Sequence, residues 1–223
     1  MARLVWDKTG ERKYERGVSQ CVLYQQSGGV YPEGVEWNGI KNVVQKPSGA
    51  EPTPQYADDI KYLNIMTAEE FGATIEAFYY PDAFAECNGQ AEAAKGFKVH
   101  QQTRKPFGLC YKTKIGNDTD GIDYGYKLHF VYGALATPSE SNYESVNDSA
   151  EAPTMSWEIS TTPVSVTGFK PTAHCEVDST TCDAEKLREL EDILYGKDGA
   201  EGQDIKPRLP LPDEIVELIG SVG

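Results

Sequence analysis

The stretch from Tyr124 to Ala136, YGYKLHFVYGALA, does most to restrict what this chain can become. Tyr126, Leu128, Phe130 and Tyr132 recur at every second position, with Lys127, His129 and Val131 between them. A repeat of two belongs to a strand, whose successive side chains point to opposite faces, and does not fit the stripe of a helix. The pattern reads as a half-buried antiparallel strand, with Lys127 and His129 on a solvated sheet face. FGLCYKTKI (107–115) is a strand of the same kind, and the intervening NDTDGID is rich in turn formers. The two segments are therefore predicted to be the arms of a hairpin.

Other segments share this texture. VSQCVLYQ (18–25), AEEFGATIEAFYY (68–80), MSWEISTTPVSV (155–166) and PTAHCEV (171–177) all suit strands and are separated by turn signals. Asn38-Gly39, between VEW and IKNVV, predicts a tight hairpin. PDAFAEC (81–87) reads as a short helical turn. Helical spacing is plain only later, where Leu187, Leu190, Ile193 and Leu194 share a face, with Asp183 as N-cap and Gly196 as the stop. A last short helix is expected after Pro212.

The fold class expected is mainly β, a sandwich or barrel-like body with one flanking α-helix (183–195) and a long loop that reaches between subunits. The chain reads as one domain, 1–223, with an N-terminal arm (1–17), the long arm (41–64) and a C-terminal extension (197–223).

The long arm is unusual. QKPSGAEPTPQYADD (45–59) holds three prolines and little that could enter a core. Connections within a compact domain are usually about 4–6 residues, and loops beyond about 12–15 tend to be functional or disordered. The arm is expected to be a long hairpin or loop that leaves its own domain. Pro47, Tyr56, Asp58, Asp59 and Tyr62 are its candidate contact residues, Tyr56 and Tyr62 as anchors and the aspartates as a polar rim.

Several chemistries find little support. The net charge of −14, from 35 acids against 21 bases, argues against gripping a nucleic-acid backbone. It does not argue against a surface that DNA must pass without sticking. Five cysteines without a CxxC pair read as reduced thiols, and no metal or cofactor is expected. NDTDGID resembles a calcium loop, but aligning Gly121 with the loop glycine puts Gly116 first and Lys127 twelfth, where acids are needed. No nucleophile elbow, phosphate loop or dinucleotide fingerprint occurs, and no enzyme is expected. No apolar run spans a membrane or makes a signal peptide, so the chain is expected to be made and kept in a cytoplasm.

Long segments carry a resemblance. WNGIKNVVQKPSGAEPTPQYADDIKYLNIMTAEEFGATIEAFYYPDAFAEC (37–87), QQTRKPFGLCYKTKIGNDTDGIDYGYKLHFVYGALATPSE (101–140), TMSWEISTTPV (154–164) and LPLPDEIVELI (209–219) closely resemble major tail proteins of long-tailed bacteriophages and of prophages in Gram-positive bacteria. The resemblance implies a tail-tube subunit: six protomers to a ring, rings stacked with a helical twist, and DNA leaving through the bore. It implies partners at the tail tip or baseplate and at the tail terminator, a tape-measure protein in the lumen, and residence in the virion after assembly in the host cytoplasm. It brings no catalytic residues.

On that reading, exposed sheet edges and the long arm become the joints between identical copies. Arg12 and Lys13, in a locally basic N-terminal stretch, are candidates for contact with acidic surface on a neighbour. Glu76 is a candidate for the lumen, where negative charge repels phosphates. Two alternatives stand beside it. One is another phage structural β-sandwich, a capsid-decoration or tail-completion protein. The other is a monomeric β-sandwich binding module using Trp6, Trp37 or tyrosines.

Overall fold

A computed structural model describes residues 3–141, 143, 145, 152–199 and 204–220. Residues 1 and 2 of the N-terminal arm, and 200–203 and 221–223 of the C-terminal extension, lie outside it. The protein is mainly β, with a large antiparallel sheet and few helices.

The sheet takes eight strands. β1 (Tyr14–Ser27) turns through Gly28-Gly29 into β2 (Val30–Glu36), and β3 (Ile40–Gln45) follows. β4 (Ser48–Gly49), β5 (Pro52–Ala57), β6 (Ile60–Met66) and β7 (Glu69–Glu70) build an excursion outside the sheet, which resumes with β8 (Gly72–Ala77). Helix α1 (Phe84–Cys87) and the small ribbon of β9 (Ala91–Ala94) and β10 (Phe97–Val99) come next. β11 (Phe107–Asn117), β12 (Gly121–Ala136), β13 (Met155–Thr161) and β14 (His174–Asp178) complete the sheet. Helices α2 (Ala184–Tyr195) and α3 (Pro212–Ile219) close the chain.

The strands run β2-β1-β11-β12-β13-β8-β3, with β14 on β12. The sheet curls until β3 stands near β1, yet no ladder joins those two strands among the described residues. The margin at β2 is different. Gly34 donates its N–H to the Pro207 carbonyl at 2.8 Å, and Leu209 donates to Tyr31 at 3.1 Å, so a C-terminal segment seals it.

The hairpin expected at Asn38-Gly39 is not formed. β2 and β3 stand at opposite ends of the strand order, and the turn is a corner between them. Burial of Trp37 explains this: its ring packs on Phe84 and Trp157 inside the curled sheet, and its indole N–H donates to the Tyr79 carbonyl. A local turn signal is outweighed by a large apolar ring at the strand's end.

β11 and β12 do pair as a hairpin, with Tyr111 opposite His129 and Leu109 opposite Val131. β12, however, is covered on both faces. Leu128, Phe130 and Tyr132 meet Leu187, Leu190 and Leu194 of α2 and Ile215 of α3, while Val131 joins the interior cluster of Leu109, Ile75 and Trp157. Asp183 caps α2 by accepting from the amides of Glu185 and Lys186. His129 is only 3 % exposed, which overturns its assignment to a solvated face.

Gly133 is the pivot of the strand. Its φ of +57° belongs to the left-handed region, and a Cβ there would collide with the Thr162 carbonyl oxygen. One extra residue here reverses the alternation, so that Ala134 and Ala136, instead of odd-numbered residues, face the interior. Before this bulge β12 pairs with β14; after it, with β13.

The NDTDGID segment is a tight turn. The Asn117 side-chain oxygen accepts from the amides of Thr119 and Asp120 at 3.1 and 2.5 Å.

Candidate assembly surface

The sequence of the long arm divides by chemistry. Its first five residues, 41–45, lie in β3 and pair with β8 in the main sheet, so the excursion begins only after Gln45. It returns through Phe71, seven residues beyond the expected bound of 64, because IKYLNIM is not a separate element. That segment is the second strand of a hairpin whose first strand is PTPQYA. Alternating β-branched, aromatic and aliphatic side chains favour the ladder, and the prolines are tolerated because both strands are edges.

At the tip, Asp58 and Asp59 have φ of 50° and 59°, the backbone of a two-residue hairpin turn that aspartate tolerates. Pro47 lies at the root, exposed, between β3 and β4. Tyr56 and Tyr62 are both exposed on the hairpin body. The ladder carries a bulge at Tyr62, and its register puts Ile60, Leu63 and Ile65 on one face, with Tyr56 and Met66 on the other. All five are exposed. An isolated two-stranded hairpin is at best marginally stable in water, and contiguous exposed apolar surface of this kind marks contact sites. Apolar side chains on both faces suit insertion between two surfaces better than lying on one.

Leu63, Ile65 and Met66 escaped the sequence reading. Their signal was the apolar-rich, strand-prone run IKYLNIM directly after a turn-forming Asp-Asp pair.

The other candidate residues are not brought to the hairpin. Arg12 lies 3.9 Å from Asp7, and Lys13 sits 4.7 Å above the Tyr124 ring. Their segment is tied across the β11–β12 turn, where Gly10 donates to Asp118 and its carbonyl accepts from Asn117. Glu76 is on β8, in a cross-strand row with Asn42 and Ser156; the next row is Val44, Thr74 and Glu158. These rows form an outward sheet face that neither α2 nor α3 covers; beside it Lys46 is paired with Glu158 at 3.2 Å and Lys41 donates to the Thr154 hydroxyl at 3.4 Å.

The hairpin is rooted on a polar stack that runs from the surface at Gln45 through half-buried Phe71 and His174 to buried His129 and Tyr111. Phe71, where the chain re-enters the sheet, stacks on His174 with centroids 4.6 Å apart and planes 6° from parallel. Gln45, where it leaves, bonds the Tyr111 hydroxyl at 2.8 Å and approaches His174 at 3.4 Å. His174 reaches His129 at 3.3 Å, and His129 stacks on Tyr111. Thr113 lies 2.9 Å from His129 Nε2 and donates its hydroxyl to Glu15. Lys127 bridges Glu15 and Glu176 at the rim.

Burial holds both imidazoles in the neutral form. It drives His174 down to about 4, with His129 beside it adding to the effect. Burial also lowers His129, against the pull of Glu15 and Glu176. Burial would raise the Glu15 carboxyl, but hydrogen bonds from Thr113 and Lys127 bring it below its ordinary value.

Among the described residues no group of three or more His, Cys, Asp or Glu is placed to hold a metal ion. No helix there is long and apolar enough to cross a membrane. Compared with protein-family models and with curated proteins, the chain matches none.

Proposed function

We propose that this chain is a structural subunit that assembles with copies of itself into the tube of a bacteriophage tail. The observation that carries the reading is the β5–β6 hairpin, which stands off the sheet with exposed apolar side chains on both faces. In a ring-and-stack assembly the hairpin of one copy enters between copies in the next ring, and the apolar area it buries there drives stacking.

The uncovered face of β3, β8 and β13 is the part suited to a bore. It offers Asn42, Glu76, Ser156 and Glu158 in place of the clustered lysines and arginines that would grip phosphate. DNA would slide past such a wall without bound counterions being released. The partners on this reading are further copies, tail-tip or baseplate and terminator proteins at the ends, and a tape-measure protein inside. The location is the virion.

Negative-stain electron microscopy of the purified protein tests this, with and without tail-tip complexes. Open tubes of stacked six-fold rings are expected, and a variant with residues 51–67 replaced by a short Gly-Ser turn should give folded protein but no tubes. Wild-type monomers under all these conditions, or normal tubes from the shortened variant, would refute the proposal.

A further inference from the structure

The N-terminal segment exposes three consecutive apolar residues, Leu4, Val5 and Trp6, with Trp6 75 % exposed. Trp37 and Trp157 are almost wholly buried. A tryptophan so placed is left largely in solvent by the described residues, although its burial elsewhere would be worth a great deal.

An apolar cavity lies farther along β12, against β14. α3, β14 and the 164–172 loop enclose an apolar groove of about 410 Å³, lined by Phe130, Val166, Val177, Ile215, Val216 and Ile219. Phe169, 76 % exposed, lines it too, offering a flat aromatic surface. Its polar lining includes one base, Lys170, and one acid, Glu176. The segment likewise carries one base and one acid, Arg3 before and Asp7 after the three apolar residues, with Asp7 3.9 Å from Arg12.

The segment does not reach the β14 wall of this groove on its own copy. Gly10 is pinned to the β11–β12 turn by its bonds to Asp118 and Asn117. Trp6 is four residues from Gly10, a reach of at most roughly 14 Å. On that wall Val177 pairs with Leu128, seven residues along β12 from Gly121. At about 3.4 Å per residue that is about 24 Å away.

We infer that the groove between α3 and β14 is the seat for residues 3–7 of a second copy, with Trp6 as the anchor. The contact is heterologous, since segment and groove are different surfaces of one chain, and its rotation decides whether it closes into a ring or continues as a filament. It requires self-association but not a tube, so it stands or falls apart from the tail reading.

Acrylamide quenching of tryptophan fluorescence, read across a concentration series of the full chain, tests it. In dilute monomer Trp6 alone is accessible, so one of the three tryptophans is quenched. On association that accessible fraction should fall close to zero. Val216→Glu, which puts a charge in the groove, should keep Trp6 quenchable at concentrations where the wild type protects it. Trp6→Ala should weaken association at least about tenfold, as truncation of an aromatic anchor does. The variant lacking residues 51–67 should protect Trp6 normally, whether or not tubes form. Persistent quenching of Trp6 at every concentration would overturn the inference, and so would protection that survives Val216→Glu.

Discussion

The imidazole pair under the hairpin root, His129 buried and His174 half-buried, should make this protein lose stability in mild acid, and His174→Gln should remove much of that loss. His174 has an ordinary value of 6.5 and is held at about 4 in the fold. A depressed histidine binds its proton more readily when unfolded. Its contribution is therefore complete above pH 6.5 and is lost as pH falls toward 4. Each tenfold change in proton affinity corresponds to about 1.4 kcal/mol. Between pH 6.5 and 4.5 the wild type should give up roughly 2–3 kcal/mol through His174. Glutamine keeps an amide donor within reach of His129 but does not titrate, and it should cost no more than about 1 kcal/mol at neutral pH. Glu15, Glu176 and Lys127 face the pair in both proteins, so most of their own pH dependence cancels in the comparison. Urea unfolding at pH 7.0 and 4.5, followed by the emission of buried Trp37 and Trp157, measures the difference directly. Equal acid losses in wild type and variant would refute the argument.

Two further outcomes follow from single atoms. The Thr74 hydroxyl is buried without a hydrogen-bond partner among the described residues, so Thr74→Val should be neutral or raise stability by up to about 1 kcal/mol; thermal unfolding reads it. Gly133→Ala should cost at least about 2 kcal/mol in chemical denaturation, because it combines a positive φ with a Cβ pressed against the Thr162 carbonyl oxygen.

Much of the β character was legible because it rests on period-two runs that need no tertiary information. The 107–136 hairpin follows from Leu109 and Phe130 alternating on facing strands, and α2 follows from Leu187, Leu190 and Leu194 on one helical face. What escaped depends on which distant segments cover a face. His129 looks like Lys127 in sequence, and only the curl of the sheet, bringing Tyr111 and His174 against it, makes one buried and the other a rim residue. Asn38-Gly39 carries a hairpin signal, yet the packing of Trp37 decides the chain's direction there. The arm was legible in part: its departure from the core shows in the prolines, whereas its exit at Gln45 and return at Phe71 depend on pairing with β8 and stacking on His174.

The unequal margins of the sheet bear on how copies can multiply. The strand order ends at β2 and β3, and the segment around Pro207 and Leu209 occupies the β2 margin. Two copies joined strand to strand through β3 would present only sealed flanks, and the row would stop at a pair. Head-to-tail growth without limit passes instead through contacts whose two halves differ, a projecting part on one copy and a receiving part on the next. A chain built this way has a front and a back, and anything assembled from it inherits that direction.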